Sequence, residues 1–323
     1  MTQQIVRYRD GASAAWGLHR NGDVVPLEGN WRTTGEFLTD GGSAAALRAS
    51  EADAQDVLGK PIESLDLLSP VTVDGDLICQ GMNYASHLRE IGRDPASARH
   101  NILFHKASSS LCGAREDVIR PRHVRALDYE VELGLVVGRK VSGPIDVTLE
   151  TLHEFVGALV VTNDVSARDV QLSHEQFCKA KSYRTFAPTG PFLVLLEPSQ
   201  LQRWHELVLM LSVNGETRQE APAGDLVHGP VETLRELSEI RDLSPGDLIA
   251  TGTPAGVALK APGKLAARLA MLLPPERRAE IIARRAEKDP AYLRPGDVIR
   301  CGIRTPDGAI DLGTQENRVV AES

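Results

Sequence analysis

The chain has 323 residues, 42% of them hydrophobic and 25% charged, which is an ordinary composition for a globular protein with a sizeable core. Its net charge of −8 argues against nucleic acid or an anionic membrane as a general partner, and no apolar run approaches the ~18 residues of a membrane span. The N-terminus lacks the apolar core of a signal peptide, and four cysteines without a Cys-x-x-Cys pair are typical of free thiols, so we expect a cytoplasmic protein.

The first seventy residues differ from the rest of the chain. Short strand-like segments alternate with turn signals such as Asn21-Gly22, and residues 42–58 have a weakly amphipathic, helical pattern. Residues 59–75 contain Pro and Gly and are typical of a connection. We therefore predict a small β-rich N-terminal domain over residues 1–70 and a larger main domain over residues 71–323.

After residue 77 short apolar strands dominate, with few long helices between them. A doubly wound parallel sheet needs a helix for each crossover, so this pattern argues against that fold. The sequence favours an α+β fold built as a β-rich mixed roll.

One local repeat is visible, because LSPGDLIATG at 243–252 resembles LRPGDVIRCG at 293–302. Each copy predicts a turn followed by a strand, and we expect both strands to enter the same sheet system. Between them, residues 258–293 have a helical pattern that Pro274-Pro275 divides in two. This stretch carries eight Lys or Arg against four Asp or Glu, which fits either a solvated helix pair or a lid or interface element.

The motif DYEVE at 128–132 gives the strongest chemical signal. On a strand, Asp128, Glu130 and Glu132 share one face at spacings of roughly 7 Å, where they repel each other unless a cation lies among them. Asp164 ends the next apolar run and supplies the further carboxylate that a hard divalent cation needs. The alternative is that Glu-x-Glu is simply a solvated strand face.

The motif NDVSARDVQ at 163–171 adds polar groups beside Asp164. Ser166 and Asp169 have capping-box spacing, which predicts a helix that begins near Ala167. Arg168 and Gln171 are three residues apart and share one side of its first turn. These side chains would converge where a strand ends and a helix starts, unless the segment is only a well-capped loop.

Other candidate groups lie on a short predicted helix at 81–92 and on two lysines. His87 and Glu90 are three residues apart, and a carboxylate beside an imidazole orients a water-activating base, although the pair also arises by chance. Lys106 and Lys181 could hold an oxyanion or a substrate carboxylate, or could be surface lysines. TGTPAGV at 251–257, which contains Thr253, could receive a carboxylate on its backbone amides and hydroxyls.

Taken in order, the segments GMNYASHLRE, LFHKASSS, DYEVELGLVVG, NDVSARDVQ, KSYRTFAPTGP, SVNGE and TGTPAGV resemble the fumarylacetoacetate hydrolase family. The resemblance runs from about residue 77 to 257 and resumes at LRPGDVIRCGI. It implies the family's mixed β-roll, commonly a homodimer, acting on small anionic 2-keto acids. Members hydrolyse, isomerise, decarboxylate or dehydrate such acids.

The resemblance also implies roles for single residues. Three carboxylates match the family's ligands for Mg²⁺ or Mn²⁺, with Ca²⁺ as a further candidate: Glu130, Glu132 and Asp164. Two residues match the pair that activates water from a mobile segment: His87 and Glu90. The others match the lysine near the reacting oxygen and the residues that meet the substrate: Lys181, Arg168, Gln171 and Thr253.

Three departures from the family pattern concern the substrate. Arg184 stands where an aspartate is usual, PTGP replaces the commoner PLGP, and residues 258–293 form an insertion where the family joins TGTPAGV directly to the next Pro-Gly-Asp. We expect this insertion to pack near a pocket mouth or a dimer contact and to help set substrate choice.

The expected function is metal-dependent hydrolysis of a C–C bond in an acylpyruvate-like 2,4-diketo acid, of the fumarylpyruvate or fumarylacetoacetate type. The alternative enzyme classes use the same metal and enolate chemistry without water attack, as tautomerase, decarboxylase or sugar-acid dehydratase. A non-catalytic, metal-stabilised scaffold is a third reading, but such a scaffold has no need for His87 and Glu90.

Overall fold

A computed structural model describes residues 2–52, 59–174, 176–260 and 273–323. The α-helices in these ranges are α1 (Thr34–Thr39), α2 (Gly42–Glu51), α3 (Ala85–Glu90), α4 (Arg168–His174), α5 (Phe177–Lys181), α6 (Pro198–Leu201), α7 (Pro230–Ile240) and α8 (Pro275–Ala286). None of the helices in the described ranges is long and apolar enough to cross a membrane.

Short strands make up most of the fold. Those of the first half are β1 (Gln3–Asp10), β2 (Ser13–Arg20), β3 (Asp23–Pro26), β4 (Lys60–Pro61), β5 (Leu67–Leu68), β6 (Leu77–Gly81), β7 (Ile102–Lys106), β8 (Leu111–Cys112), β9 (Val118–Arg120), β10 (Leu127–Asp128) and β11 (Val131–Val137). Those of the second half are β12 (Val156–Asn163), β13 (Ser166–Ala167), β14 (Ala187–Pro188), β15 (Leu193–Leu195), β16 (Val208–Val213), β17 (Glu216–Pro222), β18 (Leu248–Ala250), β19 (Val298–Arg304) and β20 (Asp311–Ala321).

An eleven-stranded mixed sheet forms the centre, in the order β4-β3-β2-β1-β15-β12-β11-β18-β6-β7, with β5 paired to β1. Its two longest central strands, β11 and β12, run antiparallel, with Val131 opposite Asn163. Every residue of β11 is buried, because both faces of the sheet are covered. The mixed, sheet-rich α+β fold predicted from the sequence is confirmed.

A second sheet has five strands in the order β17-β16-β19-β20-β9, and β19 and β20 pack against β12. The two Pro-Gly-Asp turns share a local structure, since Gly246 and Gly296 both have positive φ and each following aspartate accepts a backbone N–H three residues earlier. The expectation that both copies enter one sheet system is wrong. β18 joins the large sheet and β19 the smaller one, because long-range pairing partners, not the turns, decide strand placement.

The N-terminal strands belong to the central sheet. β1 pairs with β15, with Gln3 opposite Leu195, so β1–β3 extend the sheet that carries β11 and β12. The division of the chain at residue 70 stays a prediction. The helix expected over 42–58 is confirmed as α2 as far as Glu51, and residues 53–58 lie outside the described part.

The described part of the 258–293 insertion contains α8. The helix begins on Pro275 with Pro274 as its N-cap, as the proline pair predicts. It packs against α4, the helix that begins at Arg168. The first of the two predicted helices falls mainly on residues 261–272, which lie outside the described ranges.

Candidate active site

The acidic motif does not form one continuous strand. β10 ends at Asp128 and β11 begins at Val131, so the expected regular alternation is wrong over residues 129–130. Glu130 instead bonds across to the end of β12, where its N–H donates to Asn163 Oδ1 at 2.9 Å and its carbonyl accepts the Asp164 N–H at 2.8 Å. This break places Glu130 against Asp164.

Glu130, Glu132 and Asp164 form the carboxylate cluster that the sequence predicts. One carboxylate oxygen of each lies within 4.8 Å of the others, and all three residues are buried. An all-oxygen donor set of this kind suits a hard divalent cation such as Mg²⁺, Mn²⁺ or Ca²⁺. We call this group the carboxylate triad.

The electrostatics of Glu132 test whether the triad fits a cation. Its carboxylate accepts the Gly252 N–H at 2.8 Å, and no ion pair to it is found among the described residues. Burial, followed by the charges of Asp164 and Glu130, raises the pKa of Glu132 well above its usual range. A positive charge stabilises the ionised form of a buried carboxylate that its neighbours repel, so the triad fits a metal ion.

Three buried cationic side chains border the triad. Lys181 pairs with both Glu130 and Asp164, Lys106 pairs with Asp164, and Arg168 pairs with Glu130. Burial alone would raise the pKa of Glu130, but the charges of Arg168 and Lys181 outweigh it and hold that pKa far below its usual range. The two lysines are therefore buried at the carboxylate triad and are not surface residues.

Asp128 stands apart from the triad, contrary to the expectation that it shares the acidic face. Its carboxylate accepts the Arg168 Nε–H at 2.8 Å and the backbone N–H groups of Ala258 and Leu259 at 2.8 and 3.1 Å. Arg168 also donates to Gln171 Oε1 at 2.9 Å, which leaves the Gln171 amide nitrogen as a donor. The structure thus brings Arg168 and Gln171 together, as predicted, and pairs Arg168 with Glu130.

The start of α4 differs in detail from the predicted capping box. The helix begins at Arg168, close to the expected Ala167, but the Ser166 hydroxyl donates to the Asp164 carbonyl. The Asp169 carboxylate accepts the N–H groups of Arg125 and Val170. Ser166 lies in the short strand β13 and cannot cap the helix, so the capping box is wrong.

His87 and Glu90 form the expected pair on α3, a helix shorter than the predicted 81–92. His87 Nδ1 lies 3.3 Å from Glu90 Oε2. Burial would raise the pKa of Glu90, but hydrogen bonds from His87, Lys260 and the Gly256 N–H lower it to about 2. An ionised carboxylate only accepts hydrogen bonds, so Nδ1 carries the proton and Nε2 is left as the basic nitrogen.

The 251–257 loop connects this pair to the triad. Gly256 donates to Glu90 at 3.2 Å on one side, and Gly252 donates to Glu132 on the other. Thr253 Oγ1 donates to the Val131 carbonyl at 3.0 Å and accepts from Gln219 at 2.8 Å. Thr253 therefore holds the loop to β11, and its predicted contact with substrate stays a prediction.

Two supporting residues were missed by the sequence reasoning. Gln219 of β17 accepts the Val131 N–H and donates to Thr253, and its complete burial on a polar hairpin is visible only in the fold. Lys260 donates to Glu90 Oε1 at 2.7 Å across 170 residues of chain, so local patterns give no signal for it. Arg184, which departs from the family pattern, is exposed.

Opposite stability effects are expected at two neighbouring triad residues in metal-free protein. Glu132→Gln removes the cost of either ionising this buried carboxyl beside its neighbours or keeping it protonated, and should raise the free energy of unfolding by about 1–3 kcal/mol. Glu130→Gln leaves Arg168 and Lys181 short of a partner and should lower it by about 3–5 kcal/mol. Denaturant unfolding in a chelator measures both.

The pH dependence of the first effect follows from the raised pKa of Glu132. A raised pKa in the folded state means that folding favours the protonated form of Glu132. The stability that the Glu132 side chain contributes is therefore fully present at acid pH and is lost as the pH rises. The advantage of Glu132→Gln should therefore vanish in acid and grow above the ordinary carboxyl range, about pH 4.3. A variant less stable than wild type in chelator at neutral pH would refute the repulsion argument.

Comparisons with known proteins identify the family of this chain. Residues 76–320 match the family profile described as fumarylacetoacetate (FAA) hydrolase C-terminal. A Bos taurus protein named oxaloacetate tautomerase FAHD2A, mitochondrial, is 31% identical over 292 residues, which cover 90% of this chain and 80% of the bovine protein. The solved fumarylacetoacetate hydrolase from Exiguobacterium antarcticum is 28% identical, with a TM-score of 0.72 over 99% of this chain and 100% of that one.

A second solved structure, a probable 2-hydroxyhepta-2,4-diene-1,7-dioate isomerase from Mycobacterium abscessus, is also 28% identical, with a TM-score of 0.72 over 100% of both chains. The names of these relatives cover a tautomerase, a hydrolase and an isomerase. The profile match spans most of the chain and includes the triad and the His87–Glu90 pair. The chain therefore belongs to the fumarylacetoacetate hydrolase family of enzymes.

Proposed function

We propose that the protein is a metal-dependent tautomerase of a small 2-keto dicarboxylic acid of the oxaloacetate class. The observation that carries the proposal is the buried triad with its three cationic neighbours, next to a loop that also bonds to Glu90, the partner of the His87 imidazole. The triad would hold Mg²⁺ or Mn²⁺, whose charge lowers the cost of forming an enolate from a 2-keto acid.

The charge of the buried groups fits an anionic substrate. With all groups ionised, the triad and Asp128 face Lys106, Lys181 and Arg168, a net charge of −1. A divalent cation would bring the same groups to +1. A buried site of this charge favours a carboxylate and the enolate that would form beside it.

The chain's own residues supply the proton transfer and the orientation. His87 Nε2 would take the proton from the carbon next to the ketone to leave an enolate, with Glu90 holding the ring, and protonation of the enolate oxygen from solvent would give the enol. In the reverse direction the enol would lose its O–H proton to solvent, and the protonated His87 would return a proton to the carbon of the enolate. Lys181 lies at the triad and would stabilise negative charge on the ketone oxygen. Gln171 and the free N–H groups of Arg168 would bind the substrate carboxylate.

The bovine relative supports tautomerisation over the hydrolysis that the sequence favours, because its similarity extends over 90% of this chain and its name specifies oxaloacetate. Hydrolysis of a C–C bond in an acylpyruvate is the second candidate. The His87–Glu90 pair favours it, since the same nitrogen could deprotonate a water that attacks the distal carbonyl. A homodimeric assembly and a cytoplasmic location also remain our proposals.

Product analysis separates the two reactions. The Mg²⁺-loaded protein is mixed with oxaloacetate in its enol form and, separately, with an acylpyruvate, and the products are identified by NMR. We expect faster conversion of the enol to the keto form with an unchanged carbon skeleton, and an intact acylpyruvate. Cleavage of the acylpyruvate into two acids, without faster enol conversion, would replace the tautomerase assignment with the hydrolase.

A further inference from the structure

The 258–293 insertion leaves and rejoins the fold at β10. Its first two residues, Ala258 and Leu259, donate their backbone N–H groups to the two oxygens of the Asp128 carboxylate. Its last residue, Leu293, donates its N–H to the carbonyl of Leu127 at 2.9 Å. Both ends of the insertion are therefore bonded to β10.

The helix of the insertion is held against α4. Ala279, Ala283 and Ala286 are buried on one face of α8, and their small side chains allow close approach to α4. Arg125 pairs with Glu280 and Glu287 of α8, while its own N–H donates to Asp169 of α4 at 2.8 Å. The insertion thus contacts α4 directly and through residue 125.

Asp128 joins these contacts to the substrate side of the site. It is fully buried and connects the insertion's amides to Arg168 Nε. The Arg168 guanidinium is planar, and its orientation is fixed by three partners: Asp128, Glu130 and Gln171. Loss of one partner allows the plane to turn, and small displacements of a binding group are costly in enzymes.

We propose that Asp128, together with the first residues of the insertion and α8, forms a positioning element that fixes Arg168 and Gln171 and thereby sets the affinity of the site for 2-keto dicarboxylates. Asp128 is a positioning residue, because it acts on the substrate through Arg168. The substrate named here rests on the proposed function, whereas the positioning itself is testable with any small anion that binds beside the metal.

The first test is Asp128→Asn, which keeps the size of the side chain but turns one acceptor oxygen into a donor. The matched control is Asp247→Asn, a buried aspartate that accepts the backbone N–H groups of Asp76 and Ser244 in the turn before β18. Thermal unfolding, Mg²⁺ affinity, and oxalate affinity in the presence of Mg²⁺ are measured by calorimetry, together with kcat and KM for oxaloacetate.

We expect Asp128→Asn to weaken oxalate binding and to raise KM by about tenfold, the effect of losing one well-placed charged hydrogen bond, with little change in Mg²⁺ affinity. Asp247→Asn should lose a similar amount of stability with unchanged oxalate affinity and KM. An Asp128→Asn protein that loses stability alone, like its control, would overturn the proposal.

A second pair of variants tests the insertion itself, even if Asp128→Asn does not fold. Ala283→Leu enlarges the buried face of α8 and should push it from α4, whereas Arg285→Leu places the same residue on its exposed face. Oxalate binding that is weaker in Ala283→Leu but not in Arg285→Leu would support the positioning role. Equal oxalate affinities in the two variants, both folded, would refute it. Oxalate binding with no turnover of any 2-keto acid would reject the proposed function and leave the positioning role intact.

Discussion

Asp164→Asn will abolish both metal binding and turnover at moderate Mg²⁺ concentrations. Asp164 supplies one oxygen of the triad and pairs with both Lys106 and Lys181, so its charge organises the whole buried site. Loss of the charge that stabilises the enolate should lower kcat/KM by about 10³-fold or more. Steady-state kinetics across a Mg²⁺ titration and calorimetry of Mg²⁺ binding measure the two effects.

Asp247→Asn is the matched control for this variant, because Asp247 is an equally buried aspartate whose carboxylate accepts the backbone N–H groups of Asp76 and Ser244. It should retain full Mg²⁺ affinity. Chelation of the wild-type protein should reproduce the Asp164→Asn loss and be reversed by added Mg²⁺ or Mn²⁺. Undiminished turnover in Asp164→Asn or after exhaustive chelation would remove metal assistance from the mechanism.

His87→Gln is expected to cause the second large loss, about 10²–10⁴-fold in kcat. The glutamine keeps a hydrogen-bonding group near Glu90 but cannot exchange a proton as imidazole does. Because His87 lies on α3 and contacts Glu90, and not the triad, Mg²⁺ affinity should stay at the wild-type value. Kinetics and Mg²⁺ calorimetry on one preparation separate a loss of turnover from a loss of Mg²⁺ binding.

His105→Gln serves as the control, since His105 is an exposed residue of β7. The kcat of Glu90→Gln should lie between that of the control and that of His87→Gln. This substitution weakens the orientation of the imidazole ring but leaves the base in place. If His87→Gln turns over at the wild-type rate, another group carries the proton and the role assigned to His87 is wrong.

The sequence was sufficient to predict the triad, because its information is local. The spacing of the acidic motif selects Glu130 and Glu132, although only Glu132 lies within a strand, and the end of the next apolar run selects Asp164. The same local rule failed for Asp128. It assumed one continuous strand, whereas the bonds from Glu130 to Asn163 and Asp164 interrupt that strand and point Asp128 elsewhere.

The remaining errors have a common physical cause. The Pro-Gly-Asp turns were recognised correctly, but strands β18 and β19 find their partners through pairings far along the chain. Lys260 reaches Glu90, and the Ala258 and Leu259 amides reach Asp128, over 130 residues or more. A single sequence indicates local secondary-structure propensity and hydrophobic pattern, but it does not indicate which distant segments contact each other in the fold.

The most direct test of the central claim, that the triad and His87 together perform metal-dependent proton transfer on a 2-keto acid, is deuterium exchange at the carbon next to the ketone of oxaloacetate. NMR in D₂O follows this exchange without assuming which products form. We predict that the Mg²⁺-loaded wild-type protein accelerates the exchange, while chelated protein, Asp164→Asn and His87→Gln do not exceed the uncatalysed rate. Equal acceleration by chelated wild-type protein, or by the folded His87→Gln variant, would contradict the account.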